Sequence, residues 1–372
     1  MARPMPNMYQ GEIIEKSGEI AARLPAIART TAHTFMVIAN GHGAWQMAIS
    51  NTMSRGDKVL VLESGRFAVA WGEMAAMSGV EMEILPGFER DRIDVDAVES
   101  RLAADVDHEI KAVLVAQTDT ATSVFNDIEA IRGAIDGARH PALYMVDCIA
   151  SLGCDRFEMD AWGVDLAVAG CQKGLMVPPG LSFVWANEKA LAAYDSSDLK
   201  VGYLDWDSRL NAEVHYQIFA GTPPISHLYA LDEALNMIDE EGGIEAVWNR
   251  HQILADAVRA AVNTWAKPGF LELNITNPEA HSNAVTTVRT GSLDPDRLAR
   301  VCYSQAGLTL GLGIGSFTGG AFRIGHMGHL NPPMLLGTLG TIEAALLALD
   351  VPVGGSGVAN AAELIAGALV VE

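Results

Sequence analysis

From about residue 30 to residue 190, short apolar runs alternate with longer amphipathic stretches, and this alternation constrains the fold more than any other feature of the chain. Lys58-Val59-Leu60-Val61-Leu62, Val80-Glu81-Met82-Glu83-Ile84-Leu85 and Lys111-Ala112-Val113-Leu114-Val115-Ala116 read as strands. So do the runs ending at Asp147 and at Lys173, and Leu181-Ser182-Phe183-Val184-Trp185. Residues 66–78 and 126–137 read as intervening helices. Strands joined through helices run parallel and are covered on both faces, so an α/β fold with a mostly parallel sheet is expected. Such a sheet binds ligands beyond the carboxyl ends of its strands.

The rest of the chain reads differently. Residues 225–263 are helical with an interruption near Gly242-Gly243, followed by a strand at 283–290, a helix at 294–305 and a strand at 321–325. That order suits a smaller C-terminal α+β domain. The expected division is a large domain over 1–245, a small domain over 246–350, and a linker with a helical tail over 351–372. Pro352-Val353-Gly354-Gly355-Ser356-Gly357 has the composition of a flexible linker.

Two apolar runs end in groups that need a reason to be there. Val164-Asp165-Leu166-Ala167-Val168-Ala169-Gly170-Cys171-Gln172-Lys173-Gly174 carries a lysine to its end, and the turn Val177-Pro178-Pro179-Gly180 follows. A lysine snorkelling at a strand end would account for this segment alone. A Schiff-base lysine would account for it equally, since its amine must be fixed and partly desolvated to react near neutral pH. The second run, Ala142-Leu143-Tyr144-Met145-Val146-Asp147-Cys148, ends in a carboxylate. A lysine and an aspartate at neighbouring strand ends suit pyridoxal 5'-phosphate (PLP), with Lys173 on the aldehyde and Asp147 on the pyridine nitrogen.

Further segments supply candidate partners for such a cofactor. Asn40-Gly41-His42-Gly43-Ala44 follows the apolar Met36-Val37-Ile38-Ala39 and opens a helix near Trp45, a place where backbone N–H groups bind phosphate. The loop lacks the Walker lysine and the GxGxxG pattern of dinucleotide sites. Phe67, at the end of the next strand, is either a core aromatic or a ring stacked on a flat cofactor. Thr120 offers a strand-end hydroxyl. Arg323, inside the apolar Ala321-Phe322-Arg323-Ile324-Gly325, requires a partner: an internal carboxylate or the carboxylate of a substrate.

Net charge and composition narrow the class. A charge of −21 sets the chain against nucleic acid and anionic membranes, although a few local cations can still hold an anionic substrate. No run of about 18 apolar residues is present, and residues 1–20 contain no signal-like apolar core, so a cytoplasmic protein is expected. The four cysteines, Cys148, Cys154, Cys171 and Cys302, match no zinc or CxxC spacing and read as reduced core residues, with no metal site.

These segments, in this order, resemble the class V aminotransferases of the type I PLP-dependent fold, within the serine/alanine/aspartate–glyoxylate branch. The resemblance runs from Met8-Tyr9 to about Asp350, and its most specific motif is Gly170-Cys171-Gln172-Lys173-Gly174-Leu175 with Pro178-Pro179-Gly180. It implies catalytic roles for Lys173 and Asp147. For the cofactor it implies Phe67 as the stacking ring, Gly41, His42, Gly43 and Gln172 as phosphate contacts, and Thr120 near the phenolic oxygen. It implies Arg323 on the substrate α-carboxylate, and Thr222, within Phe219-Ala220-Gly221-Thr222-Pro223-Pro224, reaching the phosphate of the neighbouring subunit in a homodimer. The implied reaction moves an amino group from a small amino acid to glyoxylate by a ping-pong route. Arg66, beside Phe67, is the candidate for a second substrate carboxylate, as in aspartate, or else a solvated helix-start arginine.

The chain departs from the family pattern at three places. The N-terminal Gly-Pro-Gly-Pro segment is missing, Phe219 stands where some relatives carry a tyrosine, and Thr118-Asp119-Thr120-Ala121-Thr122-Ser123 replaces the commoner Gly-Glu-Ser/Thr-Ser-Thr-Gly. Two other readings remain open at this level. One is a PLP lyase such as a cysteine desulfurase, which needs a mobile loop cysteine. The other is a PLP-binding sensor without activity, for which no basic DNA-binding extension is evident.

Overall fold

The computed structural model describes residues 5–88 and 90–369. The first four residues of the expected large domain and the last three of the expected tail lie outside that range. Seven strands form the central sheet, in the spatial order His33–Val37, Ser182–Ala186, Leu166–Gly170, Leu143–Asp147, Ile110–Ala116, Lys58–Leu62, Glu81–Leu85. Six point the same way. Ser182–Ala186 runs antiparallel to both of its neighbours, a direction that apolar periodicity alone does not encode.

Residues alternate across this sheet with period two, and the two sides feed two separate apolar cores. Leu60, Leu62, Val113, Val115, Tyr144 and Val146 face one core, packed by the helices Glu12–Ile27, Ile128–Gly137 and Ile225–Glu241. Val59, Val61, Ala112, Leu114, Leu143 and Met145 face the other, packed by Gly41–Thr52 and Arg66–Met77. Asp147 continues the parity of Leu143 and Met145. Its carboxylate is therefore delivered to the side covered by Gly41–Thr52. That helix starts at Gly41, four residues before the expected Trp45, because the Asn40 side chain accepts the His42 N–H and caps the first turn.

The helix Ile244–Ala266 carries the chain between domains. Ile244 and Val247 lie in the large core, whereas Leu254, Val258, Val262 and Trp265 belong to the small one. The small domain holds an antiparallel four-stranded sheet in the order Glu272–Leu273, Val285–Arg289, Ala321–Gly325, Gly311–Leu312. Its helices are Pro295–Ala306, Pro332–Ala348 and Gly357–Ala368. The last of these falls in the expected helical tail and packs on the small domain. Ala361 and Ile365 are buried in the small-domain core, and Asn360 Nδ2 donates to Thr264 Oγ1 at 2.6 Å. The glycine-rich stretch is a tight connection into a packed helix. Among the described residues, no helix is long and apolar enough to cross a membrane.

Candidate active site

At the carboxyl ends of the central strands lies a cavity of about 230 Å³, lined by residues that the sequence separates by more than a hundred positions. Asn40, Gly41, His42 and Trp45 enter from the capped helix, Phe67 from the next helix, and Thr118 and Thr120 from beyond Ile110–Ala116. Asp147, Ile149 and Ala150 come from the end of Leu143–Asp147, and Gln172 and Lys173 from the turn after Leu166–Gly170.

The two candidate catalytic groups are held very differently. The Asp147 carboxylate is 5% exposed and accepts two hydrogen bonds, from Ile149 N at 2.7 Å and from Trp45 Nε1 at 3.0 Å. Burial dominates, and pushes its pKa up to about 7. The Lys173 amine makes no hydrogen bond among the described residues. Burial, and then the positive charge of Arg323, lowers its pKa below the ordinary lysine value. A carboxyl that protonates near neutrality and an amine inclined to lose its proton thus line one cavity, and perturbed pairs of this kind cluster at functional sites.

Arg323 stands next to the cavity without lining it. Its Nε donates to Leu312 O at 2.8 Å and its Nη1 to Thr120 O at 2.9 Å, and Thr120 does line the cavity. Two carbonyls therefore fix the guanidinium plane, and Nη2 has no protein partner among the described residues. The carboxylate closest in effect is Asp119, whose charge favours the guanidinium while burial lowers its pKa.

A family model of aminotransferase class V matches residues 24–316. The chain belongs to the class V aminotransferase family. It is 40% identical over 339 residues to the serine–glyoxylate aminotransferase of Methylorubrum extorquens, covering 89% of this chain and 83% of that one. It is 37% identical over 336 residues to the L-aspartate–glyoxylate aminotransferase of Paracoccus denitrificans, covering 90% and 83%. Among solved structures, the ureidoglycine–glyoxylate aminotransferase of Bacillus subtilis shares the fold with a TM-score of 0.89 at 22% identity, over 98% of this chain and 93% of that one.

Within this class V aminotransferase, the structure brings Gly41, His42, Phe67, Thr120, Asp147, Gln172 and Lys173 to one cavity and leaves four expected residues outside its lining. Gly43 is required by close packing, since a Cβ there would sit 2.3 Å from Ala39 Cβ. Thr222 is exposed. Arg323 is the third, as described. Arg66 is the fourth, at the start of its helix, for which the sequence left open a substrate contact and a solvated arginine. Its Nη1 donates to Glu73 at 2.8 Å, with both side chains about half exposed, and it lines an adjacent cavity with Glu63, Gly315 and Ser316. The i,i+7 spacing of Glu73 on the same helix supplied the partner that the local sequence context did not suggest.

Two residues of the site escaped sequence reading. Trp45 is a donor to Asp147 across 102 positions, and only the His42–Trp45 spacing, which places both on one helix face, hints at it. Asp119 is fully buried and accepts the backbone N–H groups of Phe67 at 2.7 Å and Ala121 at 2.8 Å. It caps the helix carrying the candidate stacking ring and tightens the turn whose Thr120 carbonyl holds Arg323. Gly65 makes this possible: its φ is +152°, and a Cβ would lie 2.4 Å from the Asp119 carboxyl. All four cysteines are buried, Cys302 within the helix Pro295–Ala306. None is an exposed loop thiol of the kind a persulfide carrier needs.

Proposed function

We propose that this chain is a PLP-dependent aminotransferase that moves an amino group from a small amino acid, serine, alanine or aspartate, to glyoxylate, leaving glycine. The observation that carries the reading is the convergence of Lys173 and Asp147 on one cavity beside a capped helix N-terminus and an aromatic ring. The names of the relatives, serine–glyoxylate and L-aspartate–glyoxylate aminotransferases, support the substrate class.

The residues present fit the cofactor. Gln172 Oε1 is buried with no partner, so the amide at the cavity wall has polar capacity to offer a bound group. The helix Gly41–Thr52 directs its dipole at the cavity, which favours a phosphate near Gly41 and His42. Phe67 and Trp45 provide flat apolar surface. PLP, when bound, supplies an aldehyde for the amino group and a ring that accepts electrons.

The chain's own groups do the rest. Asp147 holds a proton on the ring nitrogen, and its burial makes that charge pairing strong. Lys173 Nζ tethers the aldehyde at rest. When not engaged with the aldehyde, the same Nζ would take a proton from the substrate Cα, a task that suits an amine whose pKa burial lowers from the ordinary lysine value. Arg323, its plane fixed by two carbonyls, offers Nη2 to the α-carboxylate. In a homodimer, Thr222, exposed on the single chain, would serve the partner's phosphate.

With PLP, glyoxylate and a panel of donors, glycine and the matching 2-oxo acid should form in equal amounts, and double-reciprocal plots should be parallel. Because Arg66 is engaged with Glu73, serine and alanine should be used at least as well as aspartate. Glycine formation with no donor in the panel would overturn the substrate assignment.

A further inference from the structure

Of the two donors to Asp147, one is backbone and the other is an indole. Trp45 is 1% exposed, and packing fixes its plane on three sides. Trp71 lies nearly parallel, with centroids 6.1 Å apart and planes at 13°. His42 sits at 4.6 Å and Phe67 at 6.4 Å. An indole has one donor and no acceptor, and with ring neighbours on three sides its N–H is held toward Asp147 Oδ2. The same ring supports His42 and Phe67, which were assigned above to the phosphate and to the flat ring.

The groups bearing on Asp147 pull in opposite directions. Burial and the Asp119 charge disfavour its ionised form, while Lys173, the Ile149 N–H and the Trp45 N–H favour it. The Cys148 thiol adjoins it, and burial keeps that thiol protonated. A bound cofactor would engage Lys173 at its aldehyde, whereas the two N–H groups would remain. The backbone donor fixes Oδ1 and the indole fixes Oδ2, so the carboxylate plane is set before anything binds.

We propose that Trp45 is a positioning residue: its indole N–H orients the Asp147 carboxylate and keeps it ionised toward the ring nitrogen of the cofactor. The assignment rests on the PLP reading above. It is tested on the cofactor-free full chain with Trp45→Phe and with Trp45 exchanged for its benzothiophene isostere, which keeps the shape and puts sulfur in place of N–H. The Asp147 carboxyl is titrated by carbon NMR, its signal identified with Asp147→Asn, and the PLP dissociation constant is measured by fluorescence.

Losing a donor to the charged form raises a carboxyl pKa. Both replacements should therefore move the Asp147 titration up by about one pH unit or more and weaken PLP binding about tenfold. If the isostere behaves like the wild type and only Trp45→Phe differs, Trp45 merely fills space and the assignment is wrong. If the wild type itself fails to bind PLP, the cofactor reading falls, and the carboxyl titration still decides the role of the indole.

Discussion

Lys173→Ala should give a protein that forms no borohydride-reducible Schiff base with PLP and turns over slower by roughly 10⁴ or more, because the covalent tether and the proton carrier disappear together. The fold should survive. Lys173 Nζ makes no hydrogen bond among the described residues, so truncation orphans no buried partner, and it removes an amine that burial already disfavours in its charged form. Thermal unfolding of the cofactor-free variant should lie within a few degrees of wild type. The check is paired: absorbance and borohydride reduction for the tether, steady-state kinetics for the rate. A variant that still colours and reduces at another lysine would remove Lys173 from the mechanism.

The second large effect is expected from Asp147→Asn. The phosphate contacts do not involve this side chain, so PLP should still bind. The ring nitrogen loses its fixed negative partner, and Cα proton removal should slow by roughly 10²–10³, as for loss of one preorganised electrostatic group. The cofactor-free protein should respond in the opposite sense. A carboxyl raised to about 7 binds its proton more tightly folded than unfolded, so it costs stability as pH rises from about 4 to 7 and beyond. The asparagine should relieve that cost, and the variant should melt higher than wild type at pH 8 while differing little at pH 4. Unchanged kinetics would make Asp147 structural. An unchanged difference in melting temperature across this pH range would mean that the carboxyl is not strained by burial.

How much of this was legible in the sequence follows from which interactions are local. Lys173 and Asp147 could be read because each ends an apolar run, and a parallel sheet gathers strand ends on one side. The large-domain strands and the helix break at Gly242-Gly243 were legible for the same reason: period and breaker residues are local signals. The antiparallel direction of Ser182–Ala186 was not, since an apolar run buried on both faces looks alike either way. Strands of two residues, Glu272–Leu273 and Gly311–Leu312, are too short to carry a period. The helix Gly357–Ala368 was legible as a helical tail, but its docking was not, because that depends on Thr264 and other residues of a distant helix. Arg66 illustrates the limit at the site. Its neighbours suggested a pocket mouth, and only the fold shows its guanidinium turned to Glu73. Trp45 and Asp119 act through contacts 102 and 52 positions away, beyond the reach of any local pattern.

The most direct test of the central claim is a single half-reaction. The purified protein is loaded with PLP and mixed with serine, alanine or aspartate, and no oxo acid is added. The account predicts that one 2-oxo acid is released per site, that the cofactor passes to its amine form and stops there, and that adding glyoxylate restores the starting spectrum with one glycine per site. Continuous release of ammonia and a 2-oxo acid from serine, with the cofactor spectrum unchanged, would contradict it and make the protein a lyase.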